Sequence, residues 1–275
     1  MPIEIPSGTA AHSDRNPESS GFDLFKLAVI GIGFVIGTIW LISVIVHLII
    51  WWIPPSVEQK LGAAIVPTYE RMAEAGTTQE KLNQLLDQLE AKLPADKRKD
   101  RNYQVLYIPQ PIVNAGAIPG DRILIYQGLL NQTESENELV MVMGHELGHF
   151  ANRDHLRGLG NALLIQLAFT ALTGDGGSLV SLGASSVAAI SRAQFSQSQE
   201  TQADEVGLQL LNAQYGQVGG AVDFFDRMSK KDRKQIDLLA THPTPKSRVD
   251  HLRQLIQQKG YAIGPKTPLS SELRK

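Results

Sequence analysis

The residues of this chain best suited to chemistry lie together in one pentapeptide, His145-Glu146-Leu147-Gly148-His149. Two histidines at this spacing lie on the same face of a helix, so their imidazoles can bind one zinc ion together. Glu146 can then take a proton from a water molecule beside that ion, which is the chemistry of the HExxH pattern. The spacing therefore predicts one Zn2+ per chain, with His145 and His149 as ligands and Glu146 as the general base.

The helix that carries this pentapeptide is expected to be buried on most of its surface. Thr133-Glu134-Ser135-Glu136 has the form of a capping box and predicts a helix start, and an unbroken apolar run follows from Leu139 to Met143. Two histidines and a glutamate are costly inside such a helix unless a partner satisfies them. A metal ion does so; core histidines that hydrogen-bond to neighbours are the alternative interpretation.

A catalytic zinc ion takes three protein ligands and keeps one position open, so the site needs a third ligand. His155 has the spacing of the pattern HExxHxxGxxH, with Asn152 at the glycine position, where a left-handed turn is tolerated. The rival is Glu200, which shares a helix face with Asp204 in a stretch (about 197 to 213) that reads as helical. We prefer Glu200, and expect Asp204 to accept a hydrogen bond from the outer nitrogen of a ligating histidine. Two solvated acids on a surface helix are the alternative.

Four segments, in order along the chain, resemble the CAAX prenyl protease and HtpX group of membrane-associated zinc metallopeptidases. They are Val113 to Gly120 (similar to NAxxxPG), NELVMVMGHELGHFANRDH, SQSQETQADEVG (similar to ExxAD with a following glycine, Gly207), and the histidine-proline segment Thr241 to Arg248. The resemblance covers about residues 54 to 258. It implies a gluzincin site with His145, His149 and Glu200 on zinc, Glu146 as catalyst and Asp204 behind them.

The resemblance implies a membrane-anchored metalloendopeptidase that hydrolyses polypeptides, including misfolded or membrane proteins. Glu146 would take a proton from the attacking water and pass it to the leaving amine. A helix is expected with Thr244 as its N-cap and Pro245 at its first position. His242 and Arg248 would lie near its start, where they would stabilise an oxyanion as catalytic residues. Alternatively, His242 occupies the open zinc position and makes the enzyme latent. A non-catalytic or latent zinc-bearing chaperone or adaptor of the same fold is the second function class.

Short β-strands are expected beside the active-site helix. Tyr103 to Ile108 and Ile123 to Tyr126 are rich in β-formers, and Pro119-Gly120-Asp121 is a turn signal. An extended peptide could add to this sheet as a strand, and the predicted edge consists of Asn114, Ala115, Gly116 and Ala117. The fold class is therefore predicted as mainly α (α+β), a zincin-like helical catalytic domain with a small sheet.

A second large feature is the run from Leu27 to Ile53, which contains no Asp, Glu, Lys or Arg. As a helix it would span about 40 Å, which is enough to cross a bilayer with some tilt. Trp51 and Trp52 suit the membrane interface, and no AxA cleavage site follows, so we expect an uncleaved single-pass anchor in contact with lipid. Gly33 and Gly37 form a GxxxG pattern that hints at a homo-oligomer. The catalytic domain is expected on the extracytoplasmic (periplasmic) side.

Composition limits the remaining possibilities. The formal net charge of −2 gives no indication of nucleic-acid binding, and the absence of cysteine excludes disulfides and thiolate zinc sites. Residues 1–26 and 264–275 are expected to be disordered tails around a catalytic domain at 54–263. Two apolar stretches, 161–173 and 178–190, are too short to span a membrane and are expected to be soluble or interfacial helices.

Overall fold

The computed structural model describes residues 21–160, 195–231, 237–242 and 246–274. The chain divides into two compact units, Met1–Val44 and Ile45–Lys275. The stretches 161–173 and 178–190 lie outside the described residues, as do Thr244 and Pro245.

The first described element is a long apolar helix, α1, from Gly21 to Ile50. It is the one helix, within the described part of the chain, that is long and apolar enough to cross a membrane. The helix ends slightly earlier than the predicted run because Trp51 and Trp52 form a turn before Pro54 and Pro55.

The second unit opens with α2 (Pro55–Glu70), α3 (Thr77–Glu90) and the short α4 (Ala95–Arg98). Three strands follow, β1 (Gln104–Ile108), β2 (Ala115–Ile118) and β3 (Arg122–Tyr126), in the order β1-β3-β2. β1 runs parallel to β3, whereas β2 pairs with β3 as an antiparallel hairpin. The hairpin turn contains Gly120 and Asp121, whose φ angles of 94° and 60° are left-handed, as the turn signal predicted.

After the short α5 (Gln127–Gln132), the chain forms the central helix α6 (Glu136–Ala151), which packs mainly against α7 (Gln197–Tyr215). Residues 154–160 are also helical. The helix α6 starts two residues later than predicted, because Ser135, and not Thr133, caps it by accepting a hydrogen bond from the amide of Glu138. Thr133 instead donates its hydroxyl to the carbonyl of Leu129.

The last elements are α8 (Asp223–Ser229), α9 (Leu238–Thr241) and α10 (Lys246–Lys259), followed by a 3-10 turn at Ser271–Leu273. Contrary to the expectation of a disordered tail, residues 264–274 pack onto the fold. Leu273 is buried, and the hydroxyl of Thr78 donates to the carbonyl of Glu272. The predicted fold class, mainly helical with a small sheet, is confirmed.

Candidate active site

The central helix α6 brings His145, Glu146 and His149 into the core of the second unit, where all three are buried. The two rings meet edge to face with centroids 4.6 Å apart, and their Nε2 atoms lie 3.1 Å from each other. Helical geometry explains this arrangement, because side chains four positions apart stack along one face. Both imidazoles therefore present a nitrogen to the same point.

Helix α7 crosses α6 close enough for its side chains to reach that point. A Cβ placed on Gly148 would lie 2.7 Å from the Cα of Ala203, and a Cβ on Gly144 would lie 2.9 Å from the Cα of Gly207. Side chains larger than hydrogen at these glycines would force the helices apart. The close approach brings the carboxylate of Glu200 to within 3.4 Å of His149 Nε2.

One ligand atom from each of four buried side chains lies within 4.8 Å of the others, and these side chains are His145, His149, Glu200 and His242. In a tetrahedral zinc site, two nitrogen or oxygen ligands lie about 3.3 Å apart. The separations here are 3.1 Å between the histidine Nε2 atoms and 3.4 Å from His149 Nε2 to Glu200 Oε1. The donor types and their spacing therefore fit zinc.

The charge around this group also favours a cation. Four buried carboxylates lie in or beside the group, those of Glu146, Asp154, Glu200 and Asp204. Burial alone would lower the pKa of His149, but hydrogen bonds to Asp154 and Glu200 outweigh it and raise the pKa to about 9. Neither carboxylate oxygen of Glu146 has a hydrogen-bond partner among the residues that the structure describes. A buried, unsatisfied carboxylate of this kind is costly, and a cation with its water would satisfy it.

Behind His145, Asp204 and Arg248 form a second layer of contacts. Oδ1 of Asp204 lies 2.9 Å from Nδ1 of His145. Arg248 donates from Nε and Nη2 to the two oxygens of Asp204, at 2.6 and 2.7 Å, and forms an ion pair with Glu200 through Nη1. Burial would raise the pKa of Asp204, but the charge and hydrogen bonds of Arg248 and His145 outweigh it and lower the pKa.

This arrangement changes the role that we assign to Arg248. The sequence placed it near an oxyanion as a catalytic residue, whereas its guanidinium binds the carboxylates of Asp204 and Glu200. An arginine with this bidentate contact holds an acid in place. We therefore propose that Arg248 is a positioning residue.

His149 has an equivalent partner that the sequence analysis missed. Its Nδ1 lies 2.9 Å from Oδ2 of Asp154, a fully buried residue just after α6. Arg157 and Gln199 donate to the other oxygen of Asp154, at 3.1 and 2.8 Å. A carboxylate behind a ligating histidine fixes its tautomer and orientation. The signal available in the sequence was an acid soon after HExxH, next to the His155 on which the analysis concentrated.

His155, the rival third ligand, lies in a different cluster. Its Nε2 is 2.6 Å from Oε1 of Glu58, whose other oxygen is 2.8 Å from the guanidinium of Arg101. Asn152 is also not the turning residue: its φ is −91°, and the left-handed residue is Arg153, at 57°. The chain therefore turns one residue later than the HExxHxxGxxH pattern requires, and this directs His155 towards α2. The geometry supports Glu200 over His155 as the third ligand.

His242 lies at the mouth of the group, with Nδ1 3.0 Å from Glu200 Oε1 and Nε2 3.8 Å from Glu146 Oε1. Phe195 covers the same opening. Its ring stacks on His149 with a centroid distance of 4.0 Å and lies 4.9 Å from the ring of His242. These two side chains therefore stand between the metal-binding group and a cavity alongside β2.

The predicted substrate edge, residues 114–117, lines that cavity, together with Tyr69, Tyr126 and Leu124. β2 is the outer strand of the sheet on this side, since the order is β1-β3-β2. A Cβ built on Gly116 would meet no atom of the described residues within 4 Å, so there is room above the strand at this position. The arrangement can accept an extended peptide beside the metal-binding group.

Comparison with known proteins identifies the family. Residues 75–256 match peptidase family M48, and the chain belongs to this family. It is 31% identical over 157 residues to the mitochondrial metalloendopeptidase OMA1 of Arabidopsis thaliana, covering 56% of this chain and 31% of that protein. It is 30% identical over 164 residues to metalloprotease LoiP of Escherichia coli (strain K12), covering 58% and 64%.

A third relative, the beta-barrel assembly-enhancing protease of Yersinia pestis, is 27% identical over 195 residues, covering 64% of this chain and 39% of that protein. The chain thus spans less than two thirds of the length of each of these relatives. The family resemblance drawn from the motifs is confirmed, since the CAAX prenyl protease and HtpX group belongs to the same family. The zinc cofactor is confirmed by the family together with the grouped donors.

Proposed function

We propose that this chain is a membrane-anchored zinc metalloendopeptidase. The observation that carries the proposal is the convergence of ligand atoms from His145, His149, Glu200 and His242 within 4.8 Å, beside the buried carboxylate of Glu146. Membership of a peptidase family supports it, as do relatives named as metalloproteases.

His145, His149 and Glu200 would hold the zinc ion, with Asp204 and Asp154 orienting the two imidazoles. When bound, zinc supplies Lewis acidity, which makes a water more acidic and polarises a carbonyl. The carboxylate of Glu146 takes the proton of the attacking water and then delivers it to the leaving amine. Because the site is buried, Glu146 works in surroundings of low dielectric, where its charge acts strongly.

The substrate in this proposal is an extended segment of polypeptide. It would pair with the edge strand β2 through residues 115–117, so that main-chain hydrogen bonds position the scissile bond. Unfolded or misfolded segments satisfy this requirement because their backbone is available for pairing. The relative named as a beta-barrel assembly-enhancing protease suggests outer-membrane β-barrel proteins as a source of such segments.

Helix α1 would anchor the enzyme in a bilayer as a single span. Its length and apolar composition support this, and Trp51 and Trp52 follow at its end. An extracytoplasmic catalytic unit agrees with the relative named for β-barrel assembly, because transmembrane β-barrels belong to outer membranes. A Cβ built on Gly33 or Gly37 would meet nothing within 4 Å in the described part of the chain, so a second copy could pack against these glycines.

The position of His242 favours a latent form of the same enzyme. Because one of its ring nitrogens lies among the ligand atoms, this histidine is better placed to be a fourth zinc ligand than to stabilise an oxyanion. In this proposal His242 occupies the position that substrate needs, and Phe195 covers it. Movement of both residues would open the site.

The test of the function is casein cleavage by the detergent-solubilised full-length protein, with zinc content measured in parallel. We expect a chelator to abolish cleavage, and Glu146→Gln to abolish cleavage while zinc stays bound. Glu80→Gln, at an exposed position on α3, is the matched control and should behave like the wild type. Full cleavage by Glu146→Gln would refute the role of this residue. Inactive wild type and inactive His242→Ala, both loaded with zinc, would support the non-catalytic adaptor instead.

A further inference from the structure

Exposed apolar side chains of the second unit are concentrated just after α1. Beyond that helix, the exposed large hydrophobic residues in the described part of the chain are Trp51, Trp52, Val57, Leu61 and Ile263. All except Ile263 lie in the short segment that leaves α1 and forms the first two turns of α2. Trp52 is the most exposed of them, at 86%. Clustered exposed apolar residues mark an interaction surface.

On α2 these residues form a stripe separate from the face that packs on the fold. The buried side of the helix carries Glu58, Gly62, Ile65, Val66 and Tyr69. Val57 and Leu61 lie one turn apart, and Ala64 continues their line. All three are exposed, as is Lys60 beside them. An apolar stripe flanked by a lysine is the pattern of a helix that lies in the plane of a membrane interface.

The start of α2 is fixed close to the end of α1. Arg153 donates to the carbonyl of Ile50 at 2.7 Å and also to the carbonyl of Ile53. The ring of Trp51 lies beneath two cations, with Lys97 Nζ at 5.9 Å and the guanidinium of Arg157 at 5.3 Å from its centroid. Tryptophan, lysine and arginine are the residues that membrane proteins place in the lipid headgroup layer.

Chain length then limits how far the stripe can lie from the bilayer. Leu61 is only about 9 Å along the helix from Pro55, and the headgroup layer is about 5–8 Å thick. With Trp51 and Trp52 in that layer, Val57 follows only five positions after Trp52, so the stripe begins in or next to the headgroup layer. If α1 spans the bilayer, this stripe therefore lies next to the lipid headgroups and is not surrounded by bulk water.

We propose that the stripe Val57–Leu61–Ala64, with Trp52, inserts into the interface of the bilayer that α1 spans. The inference rests on the proposed anchoring of α1. It makes α2 a second membrane contact, which holds the catalytic unit against the lipid surface. A second copy of the chain fits less well, because these few side chains offer far less than the roughly 1,200 Å² that a stable protein interface buries.

The test uses single-cysteine variants of the full-length protein in vesicles of phosphatidylcholine and phosphatidylglycerol, since the chain has no cysteine of its own. A nitroxide label is attached at Leu61→Cys, and its accessibility to oxygen and to a water-soluble nickel complex is measured. Ala63→Cys is the matched control, because Ala63 is exposed about 200° around the same helix and lines a polar cavity with Asn102 and Arg122. Leu41→Cys marks the bilayer interior, and Ile263→Cys marks water.

We expect the ratio of oxygen to nickel accessibility at Leu61 to be several-fold higher than at Ala63, and to fall between the values at Leu41 and Ile263. Val57→Cys should repeat the result of Leu61→Cys. Equal ratios at Leu61, Ala63 and Ile263, with Leu41 in lipid, would overturn this inference and leave the anchor intact. Protection of Leu61 from both reagents would also overturn it, because protein would then cover the stripe. A water-like ratio at Leu41 would overturn both proposals.

Discussion

Nδ1 of His149 lies 2.9 Å from Oδ2 of Asp154, and Nδ1 of His145 lies 2.9 Å from Oδ1 of Asp204. Each histidine of the HExxH pentapeptide thus has its own carboxylate on the side away from the metal-binding group. The two carboxylates come from different places: Asp204 from the middle of α7, and Asp154 from the start of the helical residues 154–160. Both are fully buried, and each is held by further donors, so both imidazoles are oriented before metal binds.

Asp154→Asn should therefore weaken zinc binding. The amide cannot accept strongly from His149 Nδ1, and contacts of this kind typically contribute about 10–100-fold in metal affinity. Zinc affinity is measured by competition with a chromogenic chelator. Asp250→Asn, at an exposed position on α10, serves as the control. Unchanged affinity in Asp154→Asn would show that this contact has no orienting role.

Gly148→Ala should separate α6 from α7 at the metal-binding group. The new Cβ would lie 2.7 Å from the Cα of Ala203, and relieving such overpacking costs about 1–3 kcal/mol. The shift should move Glu200 away from the histidines and lower the zinc affinity of the folded protein. Gly31→Ala controls for the added methyl group, because its Cβ would meet nothing within 4 Å among the described residues. If Gly148→Ala lowers the Tm but binds zinc with wild-type affinity, the substitution affects helix packing and not the metal-binding group.

Arg248→Lys should weaken zinc binding while leaving charge unchanged. Lysine cannot reproduce the bidentate contact of the guanidinium with Asp204, nor reach Glu200 at the same time. Both zinc affinity and kcat should fall, with little change in KM for a peptide substrate. If Arg248→Lys lowers kcat but binds zinc with full occupancy and affinity, Arg248 instead has the oxyanion-stabilising role predicted from the sequence.

His242→Ala should raise casein cleavage if His242 holds the latent form. The variant keeps His145, His149 and Glu200 as ligands, so zinc content should stay near one per chain. His251→Ala, a histidine on α10 outside the ligand group, is the control. A fall in cleavage at unchanged zinc content would contradict latency and indicate transition-state stabilisation by His242.

The stability of the protein should fall at acid pH because the carboxylate of Glu58 becomes protonated. Burial would raise the pKa of this carboxyl, but hydrogen bonds and charges from His155 and Arg101 outweigh it and lower the pKa to about 2 from 4.5. A lowered folded-state pKa stabilises the protein above pH 4.5, and this stabilisation is lost as pH falls towards 2.

Glu58→Gln should therefore lower Tm most at neutral pH, and the difference from wild type should shrink between pH 4.5 and 3. Tm is followed by circular dichroism in detergent. Glu70→Gln, exposed at the end of the same helix, should show no such trend. A Tm difference between Glu58→Gln and wild type that does not change with pH would mean that the ionisation of Glu58 makes no contribution.

The elements were largely predictable because they depend on local patterns. Apolar runs and alternation predicted α1 and the strands, and helical spacing predicted the shared faces of His145 with His149 and of Glu200 with Asp204. The cap of α6 was misplaced because both Thr133 and Ser135 can cap, and the choice depends on where Thr133 finds an acceptor, the carbonyl of Leu129. The C-terminal tail was misjudged because its few apolar residues gain burial only against a folded neighbour.

The sequence by itself determined which side chains could do the chemistry, since a spacing of four residues on a helix leaves little freedom. The sequence also favoured Glu200 and Asp204 as distant partners, but only the tertiary structure decided which further groups join them. The left-handed residue Arg153 turns the chain so that Asp154 faces His149 while His155 pairs with Glu58. The contacts at Gly144 and Gly148 bring α7 to α6, and Arg248 is drawn to Asp204 by buried charge. These outcomes depend on packing and electrostatics between segments far apart in the chain, which no local pattern encodes.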